Sequence, residues 1–191
     1  MTAKRPPDLS AEEYRAACEE LVRLWDSLPN AIEVRNRDDS SARVLYGLAV
    51  HVVSSVRSVL LLIEAERSRD SYPLVRKALE FAVMAQWLRY HGAVGLSAFG
   101  FESTRRSRAI LKTMTDADIE VPADIVAGYS IDVPKVAEAD LVRNFEQVCT
   151  FFRGGAGLYF MYRFLSADCH PRERWGKAPI GHWGLRSDRS K

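Results

Sequence analysis

The chain has 191 residues, 47% of them hydrophobic and 27% charged. That is the size and make-up of one soluble domain able to bury a core without disulfide or metal staples. A formal net charge of +2 excludes a strongly polybasic or polyacidic protein and predicts no particular partner. The three cysteines, Cys18, Cys149 and Cys169, are odd in number and include no C-x-x-C pair, which argues for reduced thiols, a cytoplasmic location and no secreted disulfide frame.

The polar start MTAKRPPDLSAEEY reads as no signal peptide. Ser10 with Glu13 three residues later forms a capping-box signature. A helix is expected from there to about Leu28, stopped by Pro29, with Tyr14, Ala17, Leu21, Leu24 and Leu28 as its apolar positions. The stretch NAIEVRNRDDSS reads as a loop. A long helix is expected at roughly 41–67. Its apolar run from Val44 to Ile63 carries His51, Ser54, Ser55, Arg57 and Ser58, a polar load that fits a buried soluble helix better than a membrane span.

A third helix should start near Ser71, tolerate Pro73 in its first turn, and end near Gly92. A more polar helix follows at 97–114. Its charged face of Glu102, Arg105, Arg106, Arg108 and Lys112 is expected to be solvated, with an anionic-ligand surface as the alternative. Residues 116–129, punctuated by Pro122 and Gly128, suit a short helix and loops. A further helix is expected at 135–152, with Val136, Leu141, Phe145, Val148 and Phe152 as its apolar face. After Arg153 the segment GGAG reads as a turn, and the last helix should run from Leu158 to His170, where Pro171 stops it. No alternation of period two is long enough to demand a sheet. The expected fold is an all-α, single-domain bundle of about five to seven helices over residues 1–171.

Residues 172–191 form a tail with six basic against two acidic residues, interleaved with Trp175, His182 and Trp183. Such a pattern suits a phosphate backbone and stacked bases. It equally suits a soluble end that packs its tryptophans onto the body.

The third helix is apolar nearly all round, as a central helix is. Arg76 and Glu80 lie one turn apart on it. They are expected to be at least half buried, and so to find tertiary partners as well as each other. Two roles stand side by side: an ion pair that fixes helix register, or one that orients site residues on a neighbouring helix. The last helix supplies those site candidates. Tyr159, Arg163, Ser166 and His170 fall on one stripe, with Tyr162 at its border. Arg163 and His170 would be roughly 10 Å apart along the axis, a gap that a phosphodiester can fill. A histidine at a helix C-terminus is favoured in its charged form and suits general acid–base work.

The segments LVRKALEFAVMAQWL and YFMYRFLSADCHP resemble a group of uncharacterised bacterial all-α proteins with an Arg-x3-Glu helix and a late Ser-x3-His element. Here those positions are Arg76, Glu80, Ser166 and His170, and the likeness spans about residues 40–171. More distantly, Arg163 followed by six residues and His170 resembles HEPN proteins, helical-bundle dimers of which many cleave RNA in toxin or defence systems. Phe164 stands where that family usually has a polar residue. The resemblance implies a metal-independent endoribonuclease. His170 would move a proton at the ribose hydroxyl or leaving oxygen, and Arg163 would stabilise charge on the phosphate. Arg76, Glu80, Tyr159, Tyr162 and Ser166 would support them, in a homodimer that acts on RNA.

The other reading is a non-catalytic helical module that dimerises or binds a ligand or protein. In it, the Arg76–Glu80 and Ser166–His170 elements form a buried polar lock. No metal or cofactor is expected. Cys169, His170, His182 and Cys149 complete no familiar zinc spacing, and the glycine-rich turn lacks the strand and the Lys-Ser/Thr of a phosphate loop. No membrane association is expected.

Overall fold

The computed structural model describes residues 10–29, 40–130 and 132–169, apart from the side chains of 168 and 169. Residues 30–39 of the expected loop at 30–41, His170 and the basic tail at 172–191 lie outside the described residues, and Ser40 and Ser41 already belong to the following helix. Among those described there are seven α-helices, one 3-10 turn and no strand. The all-α, single-domain bundle expected from the sequence is what forms.

α1 (Ala11–Asp26) begins on the expected capping box: Glu13 N–H donates to Ser10 Oγ, and Ser10 N–H to Glu13 Oε2. The same contact from the Ser10 backbone holds the Glu13 carboxyl below its usual range. α1 nevertheless buries no residue. It leans on α2 (Ser40–Glu64) through the stacked rings of Trp25 and Tyr46, 5.6 Å apart, and through the Arg57–Asp26 and Arg15–Glu64 ion pairs. α2, expected as a buried helix, is buried only at Leu48, Val53 and Ser55. By length and composition it alone among the described helices could cross a membrane, and 17% of its most apolar window is buried.

A 3-10 turn (Ser68–Ser71) leads into α3 (Tyr72–Asp116), with Pro73 in its first turn. α3 is the spine of the bundle. The two helices expected at 71–90 and 97–114 are its two arms, separated by non-helical geometry at Gly92 (φ 55°, ψ −133°). A residue with a Cβ adopts that backbone only at a cost. In a straight helix Glu80 and Glu102 would stand roughly 33 Å apart. Instead they line one cleft, so the arms fold towards each other about Gly92. The core gathers on these arms. Val83, Met84, Trp87, Leu88 and Ala98 pack with Leu48 of α2 and with residues of the helices that follow. Trp87 has no exposed surface.

After α4 (Ala123–Tyr129) the helix expected at 135–152 appears as two short ones, α5 (Ala139–Arg143) and α6 (Phe145–Thr150). Asn144 divides them. Its backbone is extended and its side chain accepts from Glu146 N–H at 3.1 Å. An Asn that can satisfy a helix start this way competes with helix continuation. α5 and α6 contribute Ala139, Val142, Val148 and Cys149 to the core.

α7 (Gly155–Cys169) closes the bundle against α3. The glycines before it allow a very close joint. Gly154 has φ +80°, and a Cβ on Gly155 would come within 1.8 Å of the Cys149 carbonyl oxygen. The expected turn therefore contracts to its first glycine, and the helix starts earlier than Leu158.

Gly92→Ala is expected to lower stability by roughly 1–3 kcal/mol, the usual range for a forced backbone conformation. The midpoint of urea unfolding reads this directly. A wild-type midpoint in the variant would mean that the two arms do not depend on that glycine.

Candidate ligand cleft

The arms of α3, the α5–α6 joint and α7 enclose an open cleft of about 760 Å³. Three aromatic rings, Phe145 of α6 and Tyr159 and Tyr162 of α7, make one side of it. Tyr162 packs on Phe145 with ring centres 4.5 Å apart and stacks with Tyr159 at 6.3 Å. Phe81 and Met84 from the first arm of α3, Phe99 from the second and Val142 of α5 complete the apolar lining.

Arg76 fixes this aromatic wall. Its Nη2 donates to the Tyr162 hydroxyl at 2.7 Å, and its Cζ lies 4.7 Å from the centre of the same ring. Charge-assisted hydrogen bonding and cation–π attraction thus tie α7 to α3. The ion pair with Glu80 is loose, at 3.9 Å, and both side chains are partly buried. The expected tertiary partner of Arg76 is thus Tyr162. Glu80 turns towards the cleft and lines it.

The stripe on the last helix divides. Tyr159 and Tyr162 line the cleft. Ser166 donates to the Tyr162 carbonyl at 2.6 Å, so its hydroxyl is used within its own helix. Arg163 is exposed and is not part of the cleft lining. His170 lies outside the described residues, so the geometry of an Arg163–His170 pair is not on view. Arg76 and Tyr162 are brought together; Arg163 and Ser166 do not join them.

The second arm of α3 holds a residue whose place the sequence reading missed. Glu102, expected on a solvated face, is 3% exposed. It accepts from Arg105 Nε at 2.8 Å and Nη2 at 2.5 Å, and Arg106 Nε lies 3.5 Å away. The two guanidiniums, at i+3 and i+4, compensate the carboxylate and make its burial tolerable. The hydrogen bonds from Arg105 hold the Glu102 carboxyl below its usual range, although burial opposes the shift. A glutamate followed by two arginines one turn later, beside aromatic residues, was the available signal. Glu102, Ser103 and Arg106 line the cleft together with Arg143 and Gln147.

Cys149 is buried under the α6–α7 joint, and burial pushes its thiol up, away from thiolate chemistry. Among the described residues no group of three or more His, Cys, Asp or Glu side chains is arranged to hold a metal ion. Compared with known proteins, the chain matches no family model, no curated protein and no solved structure.

Tyr162→Phe removes the hydroxyl that receives Arg76 and should cost about 1.5 kcal/mol, the low end for a bond to a charged group because the site is partly open. Thermal unfolding checks this, and an unchanged melting temperature would show that the ring alone holds Arg76. Glu102 also sets a pH dependence. Its folded-state pKa lies below the ordinary value, so it stabilises the fold above the ordinary carboxylate range and loses that effect as pH falls through the lowered pKa. Glu102→Gln should flatten the loss of stability on acidification, as read by denaturation at a series of pH values.

Proposed function

We propose that this chain is a helical ligand-binding module, and that the cleft between the arms of α3 and α7 takes a small amphipathic organic molecule. The observation that carries the reading is the cleft itself: about 760 Å³, within the roughly 300–1,000 Å³ of typical small-molecule sites. Its aromatic walls offer stacking to an apolar body. The carboxylate of Glu80 and the guanidiniums of Arg106 and Arg143 offer directional contacts at its edges. Arg76 and Tyr162 act as positioning residues that keep the wall in place.

The lining carries Glu80, Glu102, Asp140 and Glu146 beside Arg106 and Arg143, with Glu102 compensated by Arg105 and Arg106 and Asp140 by Lys135. The cleft thus offers no concentrated positive field of the kind that draws a phosphate backbone. The ribonuclease reading draws its support elsewhere, from the exposed Arg163 and the basic segment 172–191. It would place RNA on the outside of α7.

A fragment screen by crystal soaking is expected to find aromatic fragments against Phe145 and Tyr159. Tyr159→Ala should weaken the best of them about tenfold, in line with the loss of one aromatic contact. Fragments bound everywhere but the cleft would sink the proposal. In parallel, labelled single-stranded RNA should survive incubation with the wild type. Cleavage that disappears in both Arg163→Ala and His170→Ala, with unchanged melting temperatures, would establish the ribonuclease reading instead.

A further inference from the structure

Glu80 is a cleft carboxylate with acceptor capacity left over. Its side chain is 33% exposed, and its contact with a charge is Arg76 Nη2 at 3.9 Å, too long for a hydrogen bond. That same nitrogen donates to the Tyr162 hydroxyl at 2.7 Å. No described residue donates a hydrogen bond to Glu80. A carboxylate has roughly four acceptor positions, and one shut off from solvent without donors is costly. An occupant that covers Glu80 must therefore bring donors of its own.

The shared nitrogen also places the carboxylate near the Tyr162 ring, which Phe145 contacts at 4.5 Å and Tyr159 flanks at 6.3 Å between ring centres. Ring faces attract cations, as the Arg76 guanidinium over Tyr162 illustrates at 4.7 Å. Elsewhere in the lining the charges are answered locally or stand in water. Arg106 lies 3.5 Å from Glu102, and Lys135 is 2.9 Å from Asp140. Arg143 is exposed, and an ion pair formed there is weak.

We infer that the ligand of this cleft is a primary or secondary organic amine, bound as its ammonium. Its N–H groups lie on the Glu80 carboxylate, and its body runs along Tyr159 and Phe145. This ligand class presupposes the ligand-binding role proposed above for the cleft, and narrows it. A carboxylate beside three rings meets both needs of an ammonium, charge-assisted hydrogen bonds and ring faces. An anion would stand against Glu80. A neutral aromatic molecule would cover Glu80 and leave it without donors. A quaternary ammonium would suit the rings but has no N–H to give.

Four probes of similar shape separate these cases: phenethylamine, protonated at neutral pH, phenethyl alcohol, hydrocinnamate and phenethyltrimethylammonium. Each is titrated into the full chain, and the amide NMR shifts of the cleft residues report binding. Phenethylamine should bind about tenfold more tightly than the alcohol, the worth of one charge-assisted hydrogen bond. Hydrocinnamate should be the weakest, and the quaternary probe should fall below phenethylamine. Glu80→Gln should remove the preference by weakening the amine about tenfold and leaving the alcohol as it was. The wild-type comparison decides the matter even if that variant loses its fold. Equal affinity of amine and alcohol, or tighter binding of hydrocinnamate, would overturn the amine assignment and leave the cleft a ligand site. A quaternary probe that binds as well as phenethylamine would overturn the role of Glu80 as acceptor. Shifts confined to residues outside the cleft, with every probe at millimolar concentration, would overturn both the amine assignment and the ligand-binding role.

Discussion

One backbone kink organises this molecule. At Gly92 the longest helix leaves helical geometry, and its two arms come to face each other across a common space. Each arm then has two duties. Its inner residues, Trp87 and Ala98 among them, make the core, while Glu80 on one arm and Glu102 on the other turn into the cleft. Were the helix straight, neither carboxylate would share a site with the other. The short helices α5 and α6 and the closing helix α7 then complete the walls that the arms begin.

The two polar clusters in these walls do different work. Glu102 is nearly sealed and is compensated from its own helix by Arg105 and Arg106, so it is a local matter of α3. Arg76 reaches across to Tyr162 on another helix and so couples two elements. The Arg76–Glu80 ion pair is loose and lies within α3, and such a pair is weak evidence of stability in itself. The value of Arg76 is positional, because its contact with Tyr162 fixes which side of α7 presents its tyrosines.

Much of the fold was legible in the sequence because helix signals are local. The capping box at Ser10, the proline in the first turn of α3 and the glycine near its break each act within a few residues. The split of 135–152 was not legible, since an apolar stripe at helical spacing persists through Asn144 and only the cap formed there interrupts it. The site was half legible. Arg76 and Glu80 stood out as charges on an apolar helix, and Tyr162 was near the stripe. Glu102 did not stand out. Its burial follows from the packing of the second arm beyond the kink, a tertiary event whose one local trace is the pair of arginines a turn later. The same limit applies to α1. Its spacing gives an apolar face, but only the packing reveals that this face is turned away from the core.

The joint between α6 and α7 has a bearing on how the cleft can adapt. The backbone at Gly155 lies so close to the Cys149 carbonyl that even a methyl group finds no room. That end of α7 has no slack to tilt, and the Arg76–Tyr162 contact restrains the middle. The wall that α7 makes is thus held at two separate points, at its start by backbone against backbone and at its middle by a side chain that crosses from α3.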